Sequence, residues 1–204
     1  MSILVIAEHD NQSLKGSTLN TISAATLLTG DITLFVAGSN LDNLINQCKT
    51  LDGISKIIKC DSDVYENVIA EDLSSLIFAN CEGYTHILAP STTFGKNLMP
   101  RLSAKLDTQQ ISDIISVESD NTFKRPIYAG SCIATVKSND SVRVITVRST
   151  AFDPVTMNNS DIAVDDINNV DSTGISKFVS EELAKSDRPE SVSYTHLTLP
   201  TIYS

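Results

Sequence analysis

A chain of 204 residues with 41% hydrophobic and 20% charged side chains can bury a sizeable core, and reads as one domain with an appendage. Its formal net charge of −10, with no basic cluster, makes nucleic acid and anionic membrane poor partners, and an aromatic content of 5% without Trp argues against base-stacking platforms. Cys48, Cys60, Cys81 and Cys132 form no CxxC pair, have no His at ligand spacing, and each lie in or beside an apolar run. They read as small buried thiols in a reducing compartment, not as a metal site.

The opening MSILVIAEHD puts Glu8 and Asp10 directly behind a short apolar run, so it is neither a signal peptide nor an Arg-rich transit peptide. Nor is any stretch long enough to span a bilayer. Ile3 to Ala7 is a run of strand formers, with Glu8, His9 and Asp10 at its carboxyl end. A helix follows, with Ser17 as its expected cap and Leu19, Ile22, Ala25 and Leu28 on its inward face. Gly30 ends it, and Asp31 to Ala37 is the second strand. Leu41, Leu44, Ile45 and Cys48 recur at helical spacing, Ile54 to Lys59 is the third strand, and Asp61 to Asn80 holds one long helix or two short ones.

Tyr84 to Ala89 is the fourth strand, too continuously apolar for a half-wet edge. Pro90 ends its ladder, Ser91, Thr92 and Thr93 supply hydroxyls, Gly95 frees the backbone, and Leu98, Met99, Leu102 and Leu106 mark a helix. Pro100 fits that helix only in its first turn. The strand–helix alternation to this point predicts an α/β three-layer sandwich with a mostly parallel sheet. Ile111 to Val117 reads as a short strand. Phe123 to Lys137 and Val142 to Arg148 read as an antiparallel hairpin joined by residues 138–141 and extending the sheet, with a bulge or close approach at Gly130. The expected organisation is thus an α/β domain over 1–150, an acidic and mostly aperiodic connector over 151–173, and an amphipathic helix over 174–190 carrying Ile175, Phe178, Val179 and Leu183. Residues 191–204, SVSYTHLTLPTIYS, resemble translated sequencing adaptor and are expected to be non-native.

Two stretches are site-like. Ser91 to Asn97, with Lys96 at a helix start, offers hydroxyls and backbone N–H groups to an anion, although it is no P-loop: the earlier Gly is missing and Asn97 replaces Ser or Thr. Glu8-His9-Asp10 lies at the mouth of the first strand, but no nucleophile motif completes a triad with it. His86 alternates with Ile87 on a buried strand and reads as a packed, hydrogen-bonded core histidine. Arg101, Arg125, Arg143 and Arg148 read as partners of surface carboxylates, and Asp107 and Asp113 lack metal spacing. No residue is assigned a catalytic or metal-binding role.

Several segments resemble the alpha subunit of electron transfer flavoproteins: SILVIAEHDN, TLNTISAATLL, FGKNLMPRLSAKL with ISDI after it, NTFKRPIYAGSCIATVKS, VRVITVRSTAFDP and KSDRPE. Together they run from about Ser2 to Glu190. The resemblance implies an adenine-nucleotide-binding-like fold for this part, and a heterodimer with a beta subunit that carries one flavin adenine dinucleotide (FAD). Such a complex takes electrons from acyl-CoA and related dehydrogenases, as in fatty acid β-oxidation, and passes them to a quinone oxidoreductase. In the family a second domain after the KSDRPE-like junction binds the flavin through a glycine-rich loop, an Arg and a Gln-His pair. No glycine follows Gly174 here, so that domain is expected to be missing and no flavin ligand is carried onto any residue. The expected role is the scaffold that packs on the beta subunit, colourless alone, in the cytoplasm of a bacterium or the mitochondrial matrix of a eukaryote. Two rival readings are a stand-alone adenine-nucleotide-binding module like the universal stress proteins and, more weakly, a hydrolase using His9.

Overall fold

The continuous apolar runs become parallel strands because each must be covered on both faces. In the computed structural model, which describes residues 1–157, 162–168 and 172–180, the chain alternates regularly through its first half. The order is β1 (Ser2–Ile6), α1 (Gly16–Thr26), β2 (Asp31–Gly38), α2 (Asp42–Cys48), β3 (Lys56–Asp61), a 3-10 turn (Asp63–Tyr65), α3 (Ala70–Asn80), β4 (His86–Pro90) and α4 (Thr93–Lys105). There follow β5 (Gln110–Ile114), β6 (Ser116–Ser119), β7 (Thr122–Ile127), β8 (Cys132–Lys137), β9 (Arg143–Val147) and β10 (Ala163–Asp166). Seven strands form one sheet in the order β10-β3-β2-β1-β4-β9-β5, with every pair parallel.

The period of two along β1 divides the core. Ile3 and Val5 face Ile22 and Ala25 of α1 and Leu44 of α2, whereas Leu4 and Ile6 face Leu73 and Leu76 of α3 and Leu98 and Met99 of α4. This is the expected three-layer sandwich. Burial rather than capping holds the helices: neither α1 nor α4 has a side-chain cap, worth about 1 kcal/mol, while one fully buried aliphatic side chain contributes roughly 1.5–3 kcal/mol. Pro100 is not in the first turn of α4, as expected, but at its eighth residue and exposed to solvent. There the ring stands clear of the packed layers, and the surrounding helix is fixed by Leu98, Met99 and Leu102, all fully buried. Gly95 is the tightest point of the layer, since a Cβ there would lie 1.9 Å from the Pro90 carbonyl oxygen. Its φ is not positive, so the glycine serves close approach, not backbone freedom.

The second half departs from expectation. Val142 to Arg148 does not pair with Phe123 to Lys137. Its strand, β9, lies parallel between β4 and β5, because Val144, Ile145 and Val147 are all fully buried and suit an interior strand. The antiparallel hairpin is β7 with β8, joined by β6 into a separate three-stranded sheet. Phe123, fully buried, ties that sheet to the main core. Gly130 makes no bulge; it closes the hairpin corner with Tyr128 and Ala129, all three at positive φ (91°, 49° and 53°).

The acidic connector supplies an edge strand. In β10, Ala163 to Asp166 run parallel to Lys56 to Lys59, with Lys56 paired to Asp165 and Lys59 3.5 Å from Asp166. Further on, Asp72, only 1% exposed in α3, accepts hydrogen bonds from the backbone N–H (2.6 Å) and hydroxyl (2.7 Å) of Thr173. Residues 174–180 carry no helix, so this part of the expected amphipathic helix does not form as such. Residues 181–190, with Leu183, and the tail 191–204 lie outside the described residues.

Candidate functional site

In the sheet order, β1 lies between β2 and β4, so the winding reverses there and leaves a crevice at the carboxyl ends of β1 and β4. Both stretches singled out in the sequence reach it. Glu8 follows β1; Ser91, Thr92 and Thr93 follow β4; and Lys96 lies in the first turn of α4. The start of α1 and the chain after β9 complete a cleft of about 750 Å³, with Phe152 and Asp153 on its rim.

Glu8 is held from every side. Its N–H donates to Thr18 Oγ1 (2.9 Å), and its carbonyl accepts from Lys15 N–H (3.0 Å) and the Thr18 hydroxyl (3.1 Å). Its carboxylate oxygen Oε2 accepts from Ser17 Oγ (2.8 Å) and Thr92 Oγ1 (2.9 Å). Ser17, expected to cap α1, is instead inside the helix and turns its hydroxyl to Glu8; Lys15 occupies the cap position. Ser91 Oγ is buried with no partner at hydrogen-bond geometry, and it lies near enough to Asp113 to help hold that carboxyl low.

The cluster Glu8-His9-Asp10 does not act together. His9 turns to the end of β2, where its Nδ1 accepts from Asn11 N–H (3.1 Å) and its ring meets the Ala37 backbone. Burial pushes its pKa down to about 4 against the Ala37 hydrogen bond and the nearby Asp10 charge, so the ring is neutral near pH 7. Asp10 faces outward, where the Ser13 and Gln12 N–H groups hold its carboxyl down at about 2, and its Oδ2 is 3.4 Å from Lys15 Nζ. His86 is fully buried, as expected. Its Nε2 is 2.6 Å from the Asp120 carbonyl, which only a ring N–H can satisfy, so Nδ1 accepts from Thr85 Oγ1 at 2.9 Å. Burial holds its pKa below the ordinary value.

Elsewhere the expectations divide. Arg101 pairs with Glu71 (3.0 Å) and Arg148 with Asp113, while the Nε groups of Arg125 and Arg143 are buried without hydrogen-bond partners. Burial pushes the Asp113 carboxyl up, but the Arg148 guanidinium, Ser91 and Lys96 together outweigh it and keep the group below the usual carboxylate range. Cys48, Cys60 and Cys81 are buried, with burial raising the Cys48 and Cys60 thiols to about 12 and about 11. Cys132 is exposed, because β8 lies in the small outer sheet and not in the core. Among the described residues no group of three His, Cys, Asp or Glu side chains could hold a metal ion, and no helix is long and apolar enough to cross a membrane.

Chemically, the crevice is a pair of helix N-termini whose hydroxyls already serve an internal carboxylate. It does not fit the pyrophosphate of FAD, since Glu8 takes the Ser17 and Thr92 donors and Asp153 adds a second carboxylate at the rim. Sequence reasoning located this mouth but missed its hydrogen bonds, the Asp113–Arg148 pair and the Asp72–Thr173 anchor, whose partners are 35 and 101 residues apart. The acidic first turn of α3 was the one readable sign of the anchor.

A family model for the electron transfer flavoprotein domain matches residues 3–174. The electron transfer flavoprotein subunit alpha of Pseudomonas aeruginosa is 48% identical over 190 residues, which are 93% of this chain and 62% of that protein. A probable mitochondrial subunit alpha of Cryptococcus neoformans is 42% identical over 200 residues (95% and 58%), and the mitochondrial subunit alpha of Dictyostelium discoideum 41% over 207 (93% and 58%). The chain therefore spans about three fifths of the length of these curated relatives. Apart from Ser2 at the start of β1, the match covers every strand of both sheets, from β1 through the outer hairpin to β10, and the chain belongs to the electron transfer flavoprotein family.

Proposed function

We propose that this chain is the scaffold part of an electron transfer flavoprotein alpha subunit, packing against a beta subunit and orienting the part of the complex that carries FAD. One observation carries the reading: residues 3–174 match the family's domain, and the relatives similar over more than nine tenths of the chain are named subunit alpha. The whole complex would take electrons from acyl-CoA and related dehydrogenases and deliver them to a quinone oxidoreductase, in the bacterial cytoplasm or the mitochondrial matrix. The flavin supplies the redox chemistry when bound, so the scaffold needs only to bind and orient. In keeping with that role, its site-like groups are spent on structure: Glu8 joins α1 to the start of α4, His9 is half-buried and His86 fully buried, and both rings are hydrogen-bonded.

The β7–β8 hairpin supports a partner-binding role. Its corner carries Tyr128, 79% exposed, and Ile133, 54% exposed, which none of the described residues covers. Co-expression with the beta subunit of the same source tests this directly. The two chains are expected to co-elute in size-exclusion chromatography, and Tyr128→Asp with Ile133→Asp to weaken the complex at least tenfold without lowering the melting temperature of the chain alone. A beta subunit that never co-elutes would remove the proposal.

A further inference from the structure

The crevice has the parts of an anion site, and an anion of the protein's own stands in it. Two helices of ordinary length, α1 and α4, begin at this mouth, and neither has a side-chain cap hydrogen bond at its first turn. The positive ends of both helices and two hydroxyl donors therefore converge on one place, as they do around bound phosphate groups. That place is taken by Glu8 Oε2, 2.8 Å from Ser17 Oγ and 2.9 Å from Thr92 Oγ1. We propose that Glu8 is the resident anion of the crevice, and that its carboxylate closes this face of the fold to phosphate-bearing ligands.

The geometry supports closure over a chance contact. Glu8 is fixed at its backbone by Thr18 on both N–H and carbonyl, so its side chain is delivered to the mouth, not merely free to visit it. Thr92 occupies the cap position of α4, yet it turns its hydroxyl to Glu8 and makes no cap bond. An entering phosphate would lose both hydroxyl donors and meet Glu8 beside it and Asp153 at the rim. One of the two nearby lysines, Lys15, is drawn to Asp10. This inference rests on the hydrogen bonds of Glu8 and not on the subunit assignment, so either can fail alone.

The test is thermal unfolding of the full chain in inorganic phosphate or pyrophosphate, against chloride at equal ionic strength, for the native protein, Glu8→Gln and Glu8→Ser. A ligand that binds the folded state raises the melting temperature with its concentration. The native protein is expected to show no phosphate-specific rise. Glu8→Ser, and to a smaller extent Glu8→Gln, are expected to show one, corresponding to binding at least tenfold tighter than in the native chain. Response to phosphate but not pyrophosphate would support closure while limiting the ligand to one phosphate group. A phosphate-specific rise in the native protein would overturn the proposal. So would two variants that respond no more than the native chain, or that phosphate fails to bring back to a cooperative transition.

Discussion

Gly95→Ala is expected to destabilise the fold by about 3 kcal/mol or more, at the upper end of the cost of overpacking a core. The added Cβ would stand 1.9 Å from the Pro90 carbonyl oxygen and 3.1 Å from its carbon, both backbone atoms that cannot rotate away. Relief requires α4 to lift off the end of β4. That movement opens the layer in which Leu98, Met99 and Leu102 are fully buried. For a chain of this size the loss corresponds to a fall in melting temperature of roughly 6–12 °C. Asn97→Ala, at an exposed position two residues on, is the control and should change stability by no more than about 0.5 kcal/mol. A Gly95→Ala protein melting within 2 °C of the native one, roughly, would show that the two layers are not in the contact described here.

Stability is expected to fall as pH drops from 6.5 toward 4, and His9 to be a main cause. Its pKa is lowered in the fold to about 4 from 6.5, so the neutral ring is the form the fold prefers. Its contribution is complete above the unfolded value and is lost as pH falls through that window, up to about 3 kcal/mol. His86, also lowered by burial, acts with the same sign. Asp10 does not confuse the window: held at about 2, its carboxyl gives up its contribution only below the ordinary carboxylate value of 3.8. Urea midpoints measured at intervals from pH 7 to 4 should therefore fall less steeply in His9→Asn than in the native protein. In NMR titration the His9 ring should take up its proton near pH 4. Parallel pH profiles, with a His9 midpoint near 6.5, would contradict the burial described.

The parallel half of the fold was legible because its strands are continuous apolar runs separated by amphipathic helices, and burial on both faces leaves few other arrangements. The second half was less so for identifiable reasons. An apolar run such as Val144 to Val147 has no periodicity that names its neighbour, so β9 could be read as a hairpin arm as easily as an interior strand. Tyr128 and Ala129 adopt positive φ without being glycine, which hides a tight corner. The strand β10 is only Ala-Val-Asp-Asp, and its pairing depends on Lys56 and Lys59, which are about a hundred residues earlier. Cys132 sits in an apolar stretch whose burial depended on which sheet received it. At the crevice, Glu8 and Ser91 to Lys96 were placed at the right mouth by strand and helix alone, whereas the convergence of Ser17 and Thr92 on one oxygen of Glu8 is a fact of three dimensions.

On the proposed function, this chain holds and orients, while a flavin bound elsewhere in the complex carries the electrons. Visible absorbance of the purified 204-residue chain, reconstituted with excess FAD and then desalted, tests that claim most directly. The expected result is a colourless protein that retains no flavin in stoichiometric amount; a yellow protein with one flavin per chain would contradict it.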